Sequence, residues 1–200
     1  MTRSRKASPQ SAAPSGIVAR LRRRATLPPE LSALVSADGR VLGAVPLSDD
    51  ASRWAVATTR FLTVVGRDGV EVRKGWHEVE RGRWDSEVST FTLNWTDDSG
   101  PLLLVVPAEI SQGEVTVRVD VAPFARALRQ GVESALVHSV TGTLPDGKQV
   151  TVSVRRDPEG ELYLASDLPA HALAGLDARG RAVLAELRRR ARDGVGLPTI

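Results

Sequence analysis

The stretch Glu87-Val-Ser-Thr-Phe-Thr-Leu-Asn-Trp95 decides the fold class. Phe91, Leu93 and Trp95 fall on one face of an extended chain, and Thr90, Thr92 and Asn94 fall on the other. Half-polar alternation of this kind predicts an antiparallel strand with one wet face. The same period of two runs outward in both directions. Val41 to Leu47, Arg53 to Thr59 and Phe61 to Val65 are rich in β-forming residues, and Val70 and Val72 alternate with Glu71 and Arg73. Leu102 to Val106 is a continuous apolar run, expected to be a strand buried on both faces, and Val115, Val117 and Val119 mark another. The separators Asp49-Asp50, Gly66-Arg67-Asp68-Gly69 and Asp97-Asp98-Ser99-Gly100-Pro101 have turn chemistry.

Beyond the strands the period lengthens. Asp120 is placed to cap a helix with Pro123 in its first turn, and Phe124, Ala127, Leu128, Val132 and Ala135 form its apolar stripe. A three-strand meander follows at Val140 to Leu144, Gln149 to Val154 and Glu161 to Ala165, with turns at Pro145-Asp146-Gly147 and Asp157-Pro158-Glu159-Gly160. A last helix runs from a cap at Asp177 to about Arg192. About seven strands, a helix, three strands and a helix argue for an α+β fold and against a doubly wound parallel sheet. Nucleotide sites of the parallel-sheet kind are correspondingly disfavoured.

Three blocks carry the resemblance to a known family: Trp54-Ala-Val-Ala-Thr-Thr-Arg-Phe-Leu-Thr-Val-Val, Val70-Glu-Val-Arg-Lys-Gly-Trp76-His-Glu-Val-Glu-Arg-Gly-Arg-Trp84, and Ser89-Thr-Phe-Thr-Leu-Asn-Trp95. In their succession the chain resembles bacterial PH-like domains of the GRAM-related kind over about residues 38–138. The resemblance implies an antiparallel PH-like β-barrel or sandwich plugged by the helix that begins near Pro123, and a binding module without chemistry of its own. It leaves the meander and last helix, residues 139–200, as an extension packed on that domain. Lipid-binding members of this class hold inositol phosphates with a basic loop between their first two strands. Here that loop is Ser48-Asp-Asp-Ala-Ser52, whose carboxylates repel a phosphorylated head group.

Charge is unevenly spread. Residues 1–24 carry seven Arg or Lys and no acid, residues 25–176 carry fourteen bases against twenty-one acids, and residues 177–200 carry six against three. Residues 1–15 are too poor in large apolar side chains to repay their ordering and are expected to be a disordered basic tail. Residues 16–37 read as a basic amphipathic helix and connector, with Ile17, Val18 and Leu21 among Arg20, Arg22, Arg23 and Arg24, stopped by Pro28 and Pro29. One further helical turn or two is expected over Glu30 to Val35. Such a basic segment fits an anionic membrane surface, an acidic protein partner or the chain's own acidic body. Nucleic-acid binding falls to the Arg-rich ends alone, because the body is acidic, and is the lesser expectation.

Catalytic constellations are thin. The chain has no cysteine, which excludes disulfides, thiolate nucleophiles and Cys-rich zinc sites. His77, His138 and His171 have no metal-ligand spacing, so no metal or other cofactor is expected. Gly142-Thr-Leu-Pro-Asp-Gly147-Lys-Gln149 approaches a phosphate-binding loop, yet Gln149 stands where a hydroxyl is needed and a strand follows where a helix should begin. Ser134 near His138 is the nearest approach to a hydrolase and lacks both a G-x-S-x-G elbow and an evident third partner. Of the four tryptophans, Trp54 and Trp95 read as core, while Trp76 and Trp84, flanked by Arg73, Lys74, Arg81 and Arg83, read as an exposed pair for stacking or a cation. The expected function is therefore a non-enzymatic binding or scaffold module for a protein partner, cytoplasmic or peripheral at the inner membrane face. Its candidate contacts are Arg20, Arg22, Arg23, Arg24, Trp76 and Trp84.

Overall fold

The computed structural model describes residues 24–97 and 99–197. A short helix, α1 (Pro29–Leu34), opens at the proline pair and leads through one 3-10 turn, Ser36–Asp38, into a four-stranded antiparallel meander. Its strands are β1 (Val41–Pro46), β2 (Trp54–Thr58), β3 (Phe61–Gly66) and β4 (Gly69–Gly75). A second 3-10 turn, Trp76–Glu78, hands the chain to a three-stranded sheet of β5 (Val79–Asp85), β6 (Thr90–Trp95) and β7 (Leu102–Val105). A hairpin of β8 (Glu109–Gln112) and β9 (Val115–Arg118) precedes α2 (Ala122–Ala135). That helix runs without a linker into β10 (Leu136–Thr143), which with β11 (Gln149–Arg156) and β12 (Leu162–Ser166) forms a second three-stranded meander. The small helix α3 (Ala170–Ala174) and α4 (Ala178–Asp193) complete the described chain.

The architecture is α+β, and every ladder between these strands is antiparallel. The expected closed barrel does not form: the strands divide into separate sheets of four, three, three and two. The cause is visible in the burial. Strands β2 and β3 at the middle of the β1–β4 sheet are covered on both faces, so the sheet is a layer between two cores. Ala55, Ala57, Leu62 and Val64 turn toward Phe91, Leu93, Leu104, Phe124 and Leu128, which joins the two sheets and α2. Trp54, Val56 and Val65 turn the other way, onto Leu31 and Val35 at α1 and Ile110 and Val117 of the β8–β9 hairpin. A third core, Val150, Val152 and Val154 against Leu184, Leu187 and Ala191, belongs to the last meander and α4.

Helix α2 seats closely because the opposing strand offers no side chain. A Cβ on Gly43 would stand 2.6 Å from the Pro123 carbonyl oxygen and 2.8 Å from the Phe124 backbone. At its start Val121, rather than Asp120, is the cap residue, and the Asp120 carboxylate accepts the Ala122 N–H at 3.0 Å one step earlier. The Asp177 cap forms as expected, accepting from Gly180 N–H at 2.6 Å. Alternation in β6 is as expected, with Phe91, Leu93 and Trp95 all buried. The expectation for Leu102 to Val106 is corrected: Leu104 and Val106 enter the core, while Leu103 and Val105 stand exposed on an edge strand. The Gly142–Gln149 segment is a hairpin turn, closed by Gly147 N–H to the Leu144 carbonyl with Gly147 at φ +85°.

Candidate functional site

Where the sequence placed an exposed tryptophan pair, the structure places packing. Trp76 is 5% exposed, its indole N–H donates to the Thr58 carbonyl at 3.0 Å, and its ring lies on Gly131 of α2. Trp84 is half-buried against Phe91, with ring centroids 4.4 Å apart. Both side chains extend the central core instead of facing a ligand: strand alternation puts Trp84 on the inner side opposite Phe91, and Trp76, in the 3-10 turn before β5, is buried where both sheets meet α2. The flanking cations find other rings: Arg73 stands 4.0 Å over Phe61 and Lys74 5.6 Å over Trp95. Arg20, Arg22 and Arg23 lie outside the described residues. Arg24 is exposed, bridged to Arg118 beside β9 and 3.5 Å from the Asp120 carboxylate, and residues 25–28 carry no regular structure.

The hydrolase elements stay apart. Ser134 donates to the Gly131 carbonyl at 2.7 Å, whereas His138 packs on Gly194 past α4. No group of three or more potential metal ligands occurs among the described residues. The Ser48–Ser52 loop is turned inward on itself: the Asp50 carboxylate accepts from Ser48 and Ser52 hydroxyls at 2.7 Å and pairs with Arg67 at 2.7 Å. These bonds, those from Ser52 and Ser48 foremost, hold its pKa down at about 2.

Exposed features gather instead on the β5–β6–β7 sheet. Its outer face carries Arg81 and Arg83 on β5, Thr90, Thr92 and Asn94 on β6, and Leu103 and Val105 on β7. Leu103 is 57% and Val105 60% exposed, which is unusual for aliphatic side chains on one strand. The hydrogen-bond parity of β7 sharpens this. Val106 N–H donates to the Ser89 carbonyl at 2.8 Å, so in antiparallel pairing the positions that bond to β6 are 102, 104 and 106. The N–H and C=O groups of Leu103 and Val105 therefore point away from β6, and no other described strand pairs with them. Pro101 and Pro107 occupy the next outward positions and offer no N–H, which limits the open edge to two residues.

The opposite edge is covered at its start. Arg155, buried on β11, reaches the start of β5 and donates to the carbonyls of Val79 at 2.8 Å, Glu80 at 3.3 Å and His77 at 3.4 Å. Tyr163 on β12 donates its hydroxyl to the same His77 carbonyl at 2.6 Å. Between these sheets lies a cleft of about 600 Å³, with Glu80, Asn94 and Trp95 on one wall and Tyr163, Asp167 and His171 on the other. Burial in it raises the Glu80 carboxyl above its ordinary range, and the Asp167 carboxylate adds to the rise. Burial likewise pushes the Tyr163 phenol up.

A raised acid favours its protonated form in the fold, so the stability linked to it is present below the unfolded value of about 4.3 and lost as pH climbs through the folded value. Glu80→Gln is accordingly expected to raise the urea midpoint at pH 7 and to leave it unchanged near pH 4. Equal stabilisation at both pH values would contradict this account of Glu80.

Comparison with protein-family models, with curated proteins and with solved structures returns no match to this chain. No helix among the described residues is long and apolar enough to cross a membrane.

Proposed function

We propose that this chain is a non-enzymatic PH-like binding module that captures an extended, acidic segment of a protein partner on the β5–β6–β7 sheet. The PH-like reading is supported by the succession of a four-stranded sheet, a three-stranded sheet and a helix whose Phe124 and Leu128 enter the core between them. The observation that carries the binding reading is the β7 edge, where the same two residues present both unpaired backbone groups and exposed aliphatic side chains.

An incoming strand satisfies those groups by adding to the sheet, and its alternate side chains rest on Leu103 and Val105. Arg81 and Arg83 on the same face have no ion pair among the described residues, so the complementary partner is acidic. Arg20, Arg22, Arg23 and Arg24 add attraction at longer range, which raises the encounter rate with such a partner. Phosphoinositide capture by the Ser48–Ser52 loop is disfavoured, since Asp50 already engages Arg67 there.

Selection from a random decapeptide display library on the immobilised full chain tests this. Enriched peptides are expected to alternate aliphatic and acidic residues. Val105→Pro removes one outward N–H without touching the β6 ladder, and is expected to weaken them up to about tenfold, the upper end of one hydrogen bond's worth. Enriched peptides that bind Val105→Pro as tightly as the parent would overturn the proposal.

A further inference from the structure

Strand β10, 8 residues long, is the longest edge strand among the described residues. Parity fixes which of its backbone groups are free. Leu144 N–H donates to the Lys148 carbonyl at 2.8 Å, so the positions that bond to β11 are 138, 140, 142 and 144. On β11 the Thr151 carbonyl, opposite Thr141, accepts from Asp167 N–H beyond β12 at 3.1 Å, which agrees. The N–H and C=O groups of Ser139, Thr141 and Thr143 therefore point away from β11, and no other described strand pairs with them. Edges are ordinarily guarded by proline or by charge. Here the three outward positions carry small, exposed, uncharged hydroxyl side chains.

The helix above this edge is complementary to itself. Gly180, Leu184, Leu187 and Ala191 form the buried face of α4, and Arg188 lines the cleft on the β12 side. At 3.6 residues per turn the opposite flank, toward the free edge of β10, carries Glu186 and Arg190. A Cβ on Gly142 would stand 2.8 Å from the Leu187 side chain, and one on Gly194 would stand 2.6 Å from His138. The helix thus runs opposite to β10, and the level of Thr141 falls between Glu186 and Arg190. An axis through Thr141 sets the acid of one copy against the base of the other.

We infer that two copies of this chain pair through β10, antiparallel about a two-fold axis at Thr141, and join their last meanders into one continuous sheet. In that register Thr141 meets Thr141 of the second copy and Ser139 meets Thr143, hydroxyl pairs suited to neighbouring strands. The exposed Leu136 and Val137 come to lie beside the Pro145 turn of the second copy. Because α4 lies over both β10 and β11, strands about 4.8 Å apart bring the two α4 axes to about 10 Å, the separation of packed helices. The contact is isologous and closes on itself, so it ends at a dimer. It uses a different sheet from the β7 edge and does not depend on it.

Sedimentation equilibrium of the full-length chain tests the inference, and a concentration-dependent rise to twice the chain mass is expected. Thr141→Pro takes an outward N–H from each copy and none from the β11 ladder, so the dimer dissociation constant should rise about tenfold or more. Thr141→Lys, which opposes two ammonium groups across the axis, should act in the same direction. The chain has no cysteine, so Thr141→Cys reads the axis directly. Facing residues of this kind lie about 5.5 Å apart at Cα, within disulfide reach, and mild oxidation should yield a covalent dimer. Val88→Cys, at an equally open position, should cross-link far more slowly. A parent that stays monomeric at every concentration, a dimer unmoved by both Thr141→Pro and Thr141→Lys, or equal cross-linking from the two cysteine variants would overturn the inference. So would a monomer whose Ser139, Thr141 and Thr143 amides resist exchange, which would make residues 1–23 the occupant of the edge.

Discussion

Trp76→Ala is expected to lower the unfolding free energy by about 3–5 kcal/mol, the usual cost of emptying a buried aromatic site. The indole is held at three sides. Its N–H is fixed on Thr58, its ring sits among the buried residues shared by both sheets and α2, and Gly131 of the helix presses on its face. The same contact inverts an ordinary rule. Glycine to alanine inside a helix usually gains about 1 kcal/mol from propensity. At Gly131 the new methyl would run into the indole, which cannot retreat without breaking its hydrogen bond, so Gly131→Ala is expected to destabilise by about 1–3 kcal/mol. Urea unfolding of the two variants decides the matter. A Trp76→Ala protein as stable as the parent would mean that the ring faces solvent.

Local pattern made much of the fold legible, and non-local packing hid the rest. Residue alternation was sufficient for β6, because one face of that strand is wet and Thr92 and Asn94 betray it. Pro28 and Pro29 marked α1, and the Asp177 cap with its following stripe marked α4. The strand β5 was missed because Val79-Glu-Arg-Gly-Arg-Trp-Asp85 holds two arginines and a glycine, poor strand formers that tertiary pairing with β6 overrides. Gly82 is needed there for another reason: a Cβ would stand 2.6 Å from Leu128. The short strand β8 carries a single large apolar residue, Ile110, and so gave no period to read. Leu102 to Val106 looked doubly buried because composition cannot tell a central strand from an edge. The candidate contacts fared similarly. Basic neighbours suggested exposure for Trp76 and Trp84, yet Arg83 faces out because Trp84 faces in, the alternation reading correctly once the strand is known, while Trp76 sits in a 3-10 turn that no period marks.

Arg155→Met should have the other large effect, because it keeps the aliphatic stem and removes every donor. Three carbonyls, those of His77, Val79 and Glu80, then lose a partner in a half-enclosed place, for an expected loss of about 2–4 kcal/mol. Burial already draws the guanidinium below its usual acidity constant, the Tyr163 and Glu80 charges acting against that fall, so the fold pays a desolvation cost that only these bonds offset. Arg155→Lys should rescue little, because one ammonium cannot span three carbonyls as the fork does. The consequence reaches the proposed docking face. Arg155 occupies the start of the β5 edge, at the other side of that sheet from β7. Losing it exposes a second row of backbone acceptors next to Arg81 and Gly82, and unprotected edges pair with one another. Hydrogen exchange should therefore show protection falling in β10–β12 ahead of β1–β4, and light scattering should show more self-association than in the parent. Uniform exchange across both meanders, with no change in mass, would mean that Arg155 neither ties the two halves nor guards the edge.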